Sequence, residues 1–298
     1  MKRAIPTLLL ILLIQLALVA VVYWPRVITG DDVGPVEQAI DPGQVNELHI
    51  ADEHGGEARL VKSGGRWHLP ALHNLPADPD KVANLLDSLL SKDDSWPVAR
   101  SAAARQRFQV ADYLFQRHIR LLGDGKELRS VYLGNSPGFR KVHARIAPRG
   151  AIHAIRFNVF DAPASDDAWI DPRLLQVRTP MRIDADTYSV NREGGEWQSA
   201  SGGVPDKREL LALLSALRSV QAEGVASEKQ ALRLATEEAT LVLEINSLAG
   251  KQNLELFRLD SDHYIRSSEY PVFFRLSAYD FDRLSGIDFL LISGEGTD

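Results

Sequence analysis

The sequence predicts an α+β protein: an N-terminal transmembrane helix followed by two tandem repeats, each a mostly antiparallel sheet with one long amphipathic helix. Three observations lead there. Residues 5–24, IPTLLLILLIQLALVAVVYW, carry no charge. Short motifs recur in the same order in both halves of the remaining chain. Strand-like runs flank one helical stripe in each half without strand–helix–strand alternation, which separates α+β from α/β.

The first segment has the length of a bilayer crossing, which takes roughly 20 apolar residues. Lys2 and Arg3 precede it, which keeps the N-terminus in the cytoplasm, and Tyr23 and Trp24 close it at the depth amphipathic aromatics prefer. A cleaved signal peptide has a shorter apolar stretch, roughly 7–15 residues, and small residues before the cut. Leu18, two positions before Ala20, fits that pattern poorly. The run is uniformly apolar rather than amphipathic, which also argues against a core helix. The segment is read as an uncleaved signal anchor. The expected organisation is residues 1–25 as cytoplasmic tip and anchor, 26–44 as a tether, 45–178 as the first repeat, 179–292 as the second and 293–298 as a tail.

The repeat shows in matched motifs. GGRW (Gly64–Trp67) returns as GGEW (Gly194–Trp197), ADPDKVANLLDSLL (Ala77–Leu90) as PDKRELLALLSALR (Pro205–Arg218), and KVHAR (Lys141–Arg145) as DHYIR (Asp262–Arg266). Phe160-Asp161 matches Phe281-Asp282, and Ile170-Asp171 in AWIDPRLL matches Ile287-Asp288 in SGIDFLLI. The offset is 130 at the tryptophans, 128 at the helices, 121 at Arg145 and Arg266, and 117 at Asp171 and Asp288. Chance matches would scatter; a falling offset is what loop deletions in the second copy produce.

Each piece has a physical reading. Gly-Gly before Trp is a hairpin turn with positive φ. The next stretch is a helix: Asp78 caps it, Pro79 suits its first position, and Val82, Leu85, Leu86, Leu89 and Leu90 form its apolar stripe. In the second copy Asp206 and Glu209 form a capping-box-like pair ahead of Leu210, Leu213, Leu214 and Leu217. Hairpins around Asp124-Gly125 and Ala249-Gly250 follow, then two further short strands. A short helix is expected to end each copy.

Composition narrows the function. Among 298 residues there is no cysteine, which removes disulfides, thiolate metal sites, a thiol nucleophile and a lipoprotein anchor. The net charge is −6, and the chain beyond Trp24 holds 32 basic against 40 acidic residues once Lys2 and Arg3 are set aside. That balance argues against nucleic acid as a partner. The pairs His49/His54 and His68/His73, with Asp78 and Asp80 downstream, lack the spacing of a helical zinc site. GNSPGFRK (Gly134–Lys141) invites a phosphate-loop reading, but a strand and not a helix follows it, so it reads as a β-turn. No G-x-S-x-G elbow is present. No catalytic, cofactor-binding or metal residue is nominated and no cofactor is expected. The repeated polar residues Arg145 and Arg266, with Asp171 and Asp288, stand as ligand positions or, preferably, as repeated ion pairs and caps.

The tryptophan-to-helix spacing, the hairpin ending in YLG, the HAR strand and the IDPRLL junction before a second GGxW together resemble the bacterial family called domain of unknown function 4340. The resemblance covers nearly all of the chain after the tether. It implies a membrane-anchored extracytoplasmic protein, often associated with ABC-type export systems of the gliding-motility type, and supplies no catalytic residues.

The expectation is thus a non-enzymatic, single-pass protein of the bacterial inner membrane, N-terminus cytoplasmic and body periplasmic. It would serve as accessory or scaffold subunit of an ABC-type transporter or envelope complex, with an integral-membrane partner and the bilayer contacted through residues 5–24. The alternative is a periplasmic small-molecule or glycan binding module with its site between the two repeats.

Overall fold

The computed structural model describes residues 12–18, 40–91, 96–138 and 140–294. Within the expected anchor, residues 12–18 are helical and exposed; the rest of that segment, and the tether up to residue 39, lie outside the described residues. No helix among the described residues is long and apolar enough to cross a membrane.

The first half runs β1 (Glu47–Asp52), β2 (Glu57–Ser63), β3 (Arg66–Leu69), β4 (Leu75–Pro76), α1 (Pro79–Leu90), α2 (Ala102–Arg107), β5 (Val110–Ala111), β6 (Leu114–Phe115), β7 (Arg117–Gly123), β8 (Lys126–Leu133), β9 (Val142–Ala147) and β10 (Ile152–Ile155). The second runs β11 (Pro180–Ala185), β12 (Ser189–Glu193), β13 (Glu196–Ser199), α3 (Lys207–Ser219), β14 (Gly224–Val225), α4 (Glu228–Leu234), β15 (Leu241–Ser247), β16 (Gly250–Leu259), β17 (Asp262–Ser267), β18 (Phe273–Leu276), α5 (Ala278–Ser285) and α6 (Phe289–Ser293). Together they form a mixed α+β fold with two eight-stranded antiparallel sheets, in order β10-β9-β8-β7-β1-β2-β3-β4 and β14-β18-β17-β16-β15-β11-β12-β13. Read along these orders, β10 through β3 correspond strand by strand to β18 through β13. The additions differ: β4 extends β3 in the first sheet, and β14 extends β18 in the second. In the first sheet the place of β14 is held by a single bridge, Ala99 to Ile152.

Local chemistry sets these elements. Gly64 and Gly65 have φ of 57° and 81°, and Gly194 and Gly195 have 60° and 96°. Positive φ at both central residues is the hairpin turn whose twist matches the strands it joins. Trp67 then pairs with Lys62, and Trp197 with Arg192. Trp67 is buried in the main core and Trp197 packs against it. Asp78 accepts hydrogen bonds from Asp80 N and Lys81 N at the start of α1, which buries Val82, Leu85, Leu86 and Leu89. Asp206 does the same for Arg208 N and Glu209 N in α3, which buries Leu210, Leu213, Ala216 and Leu217; Leu214 is half-buried. Glu209 does not complete a capping box there; its carboxylate accepts from Asp288 N at 3.3 Å.

Both helical stripes and the inner faces of both sheets belong to one continuous hydrophobic cluster. The chain crosses between halves along its edge. Trp169, fully buried, donates its indole N–H to Pro163 O at 2.8 Å, and its own carbonyl accepts from Asp78 N at 2.8 Å. Beyond it, Val177 N donates to Leu217 O and Ala222 N to Pro172 O. Arg275 meets Asp167 across the halves at 2.9 Å. The outer face of each sheet carries a smaller cluster, Val110, Tyr132 and Ile152 in the first and Leu234, Phe257, Leu259, Tyr264 and Phe273 in the second.

The endings of the two copies differ. The second closes with the helices α5 and α6, as expected. The first has only 3-10 turns, Val159–Asp161 and Asp166–Trp169. Pro163 explains the difference, because a residue before proline is driven out of the helical region. Ala162 accordingly sits at φ −121°, ψ 67°.

Candidate functional site

The four nominated polar residues occupy comparable strand and turn positions but do not converge. Arg145 on β9 is only 2% exposed. Its Nε donates to Val110 O at 2.7 Å, its Nη2 to Asp112 Oδ1 at 2.6 Å, and its guanidinium lies 4.4 Å over the Tyr132 ring. The hydrogen bond from Arg145 lowers the pKa of Asp112. Arg266 on β17 is partly exposed, bonded to Glu255 and set against Phe257 and Phe273. Asp171 accepts from Arg173 N at 3.0 Å and pairs with its guanidinium, within a turn. Asp288 caps α6 through Leu290 N and Leu291 N. The two arginines share a sheet face yet differ in surroundings, because the segment between α1 and β7 supplies Val110 and Asp112 to Arg145, while the corresponding segment of the second copy carries α4.

A cleft of about 1280 Å³ opens at one end of the first sheet, and none of the four residues lines it. It lies within the first repeat and not between the repeats. The strands that end or begin there place its walls. The β1–β2 turn supplies Asp52, Glu53 and His54; the start of β7 supplies Arg117; the β8–β9 turn supplies Arg140 and Lys141; and the segment after β10 supplies Arg156, Asn158, Phe160 and Asp161. Within GNSPGFRK, a bridge joins Gly138 to Lys141, and Ser136 Oγ donates to Lys141 O at 2.7 Å. The strands around this segment set it on the wall of the cleft.

Four cations line the cleft, Arg117, Arg140, Lys141 and Arg156, against the three carboxylates of Asp52, Glu53 and Asp161, a small positive excess in an acidic chain. Burial works to raise the Asp52 pKa, but hydrogen bonds from Gly56 N and His54 N and the Arg117 charge at 3.9 Å outweigh it, and the carboxyl titrates below its usual range. Arg117 also donates to Ala162 O and Gln116 O. Asp161 accepts a bond from Asn158 Nδ2 at 3.3 Å. The side chains of Lys141 and Arg156 make no hydrogen bond or ion pair among the described residues. Phe160 stands on the rim, 81% exposed.

A second polar group lies on the outer face of the same sheet. His118 Nε2 is 2.8 Å from Ser130 Oγ, and Arg120 reaches His49, which is bonded to Glu47. Ser130 is buried, and the described cleft is elsewhere, so the pair anchors the sheet face. Among the described residues no three His, Asp or Glu side chains are grouped to hold a metal ion.

Neither the curated proteins nor the solved structures contain a significant match to this chain. The family described as "Domain of unknown function (DUF4340)" matches residues 67–244, from β3 across the seam into β15. Since that stretch is more than half of the chain, the protein belongs to the DUF4340 family.

Proposed function

We propose that this protein is a non-enzymatic, membrane-anchored extracytoplasmic accessory subunit, held in the inner membrane by residues 5–24 and docking its body on an integral-membrane partner of a transport or envelope complex. The observation that carries the docking is the exposure of two large aromatics on the layer covering the first sheet's outer face. Trp96 is 89% and Tyr113 76% exposed. Tyr113 sits at the β5–β6 turn, and Trp96 precedes the stretch that bridges β10. Aromatics of this kind anchor protein interfaces when a partner desolvates them. The uncharged N-terminal run supports the anchor.

Two measurements test the reading. After alkaline extraction of cells, the protein should stay with the membrane pellet and be digested by protease only once the outer membrane is opened. A photo-crosslinking residue at Tyr113 should then capture an integral-membrane protein. Recovery in the soluble fraction removes the anchor; crosslinking to nothing but lipid or itself removes the partner.

A further inference from the structure

The second copy serves as an internal control for the first. The last rung of the β9–β10 ladder pairs Val142 with Ile155; the next residues along the two chains, just beyond the ladder, are Lys141 and Arg156, and both line the cleft. The last rung of β17–β18 pairs His263 with Leu276, and the same step gives Asp262 and Ser277, both at an offset of 121. In the second copy these positions help close the sheet end. Asp262 accepts from the Tyr264 hydroxyl, and Ser277 caps α5 through Asp280 N. That helix lays Phe281, fully buried, over the sheet end with its ring 4.5 Å from His263.

In the first copy everything that closes the end is exchanged. The tight turn at Asp260 and Ser261 is replaced by the longer connection 134–141. The helix is replaced by a 3-10 turn, and Phe160, the counterpart of Phe281 at the same offset, points into solvent. Two like charges on neighbouring strand ends repel. Here both line an open cleft, with no acidic partner among the described residues.

We propose that this cleft binds a small organic anion, one that joins a phosphate or carboxylate head to a flat ring. Lys141 and Arg156 take the head between them, so that a shared counter-charge turns their repulsion into two charge-assisted hydrogen bonds. Phe160 covers the ring by stacking. Asp52 does not oppose the head, since Gly56 N, His54 N and Arg117 already hold it. The inference stands apart from membrane attachment and from any protein partner.

The test uses the full-length protein in detergent, with phenyl phosphate, benzoate, inorganic phosphate and benzylamine as probes, followed by saturation-transfer NMR. Phenyl phosphate and benzoate separate the two head groups, and at least one should bind saturably. Inorganic phosphate should bind about tenfold more weakly or less, and benzylamine not at all. Lys141→Ala and Arg156→Ala should each weaken the ring-bearing anion about tenfold, the worth of one charged hydrogen bond. Lys141→Asp with Arg156→Ser, the second copy's residues, should abolish binding. Phe160→Ala should weaken ring-bearing probes and leave inorganic phosphate unchanged, while Arg218→Ala on α3 changes nothing. Benzylamine binding as well as benzoate, anion binding that survives the double substitution in a folded protein, or no saturable binding of any probe would each overturn the proposal.

Discussion

The imidazole of His118 lies flat on the phenol ring of Tyr132, centroids 4.1 Å apart and planes within 4° of parallel. Burial, then the positive charge of Arg120, push its pKa from 6.5 to about 4. Between those values the unfolded chain takes up a proton that the folded chain refuses. Stability from this group is therefore complete above about pH 6.5 and lost as pH falls toward 4. The urea midpoint should drop across that window, and His118→Gln should flatten part of the slope. Carboxylates with lowered pKa values, such as Asp52 and Asp112, lose their contribution only as pH falls below their usual value of 3.8, beneath the His118 window, so the difference between the two proteins across pH 6.5 to 4 is the diagnostic quantity. Parallel pH profiles would show that His118 carries none of it.

Matched positions need not be matched in worth. Arg145→Ala strips Val110 O of its partner inside a packed layer and should cost about 2–3 kcal/mol in urea unfolding. Arg266→Ala breaks a partly exposed pair and should cost no more than about 1 kcal/mol. Equal losses would mean that the strand position, and not the segment packed over Arg145, decides its role.

Trp169 fills the edge of the core where the chain leaves the first copy. Trp169→Ala should cost about 3–5 kcal/mol, as truncations of large buried aromatics do. Because both sheets feed one hydrophobic cluster, thermal unfolding should remain a single transition in the wild type. Two resolved transitions by calorimetry would contradict the shared core.

The caps offer a finer measurement. Asp78→Ala and Asp206→Ala each remove a carboxylate that accepts from two backbone N–H groups, and each should lower stability by about 1 kcal/mol. Asparagine at either position should restore most of the loss, since its side-chain oxygen can accept the same bonds.

The repeated architecture was legible because its signals are local. Gly64-Gly65 and Gly194-Gly195 announce their hairpins, and the leucine stripes announce α1 and α3. What escaped depends on distant partners. Arg145 and Arg266 read as equals, since Val110 and Asp112 reach Arg145 across more than thirty residues of chain. Glu209 looked like half of a capping box, and only the fold brings Asp288 N to it. The cleft was hidden for the same reason: Phe160 and Phe281 match in sequence, while Pro163 sends the first copy's chain elsewhere. Lys141 and Arg156 set against Asp262 and Ser277 were the available clue, readable once the ladders give the register.

Val177 hands its amide to Leu217, and β14 lies beside the turn that carries Trp169. A gene cut after residue 178 would thus encode a product in which the Val177 amide has lost its acceptor and the tryptophan edge has lost a neighbour. An expression fragment trimmed to residues 67–244 fares worse, leaving out β1 from the middle of one sheet and β16 to β18 from the other. What began as two interchangeable copies is now a single indivisible object, and only the whole body is fit for crystallisation or transplant.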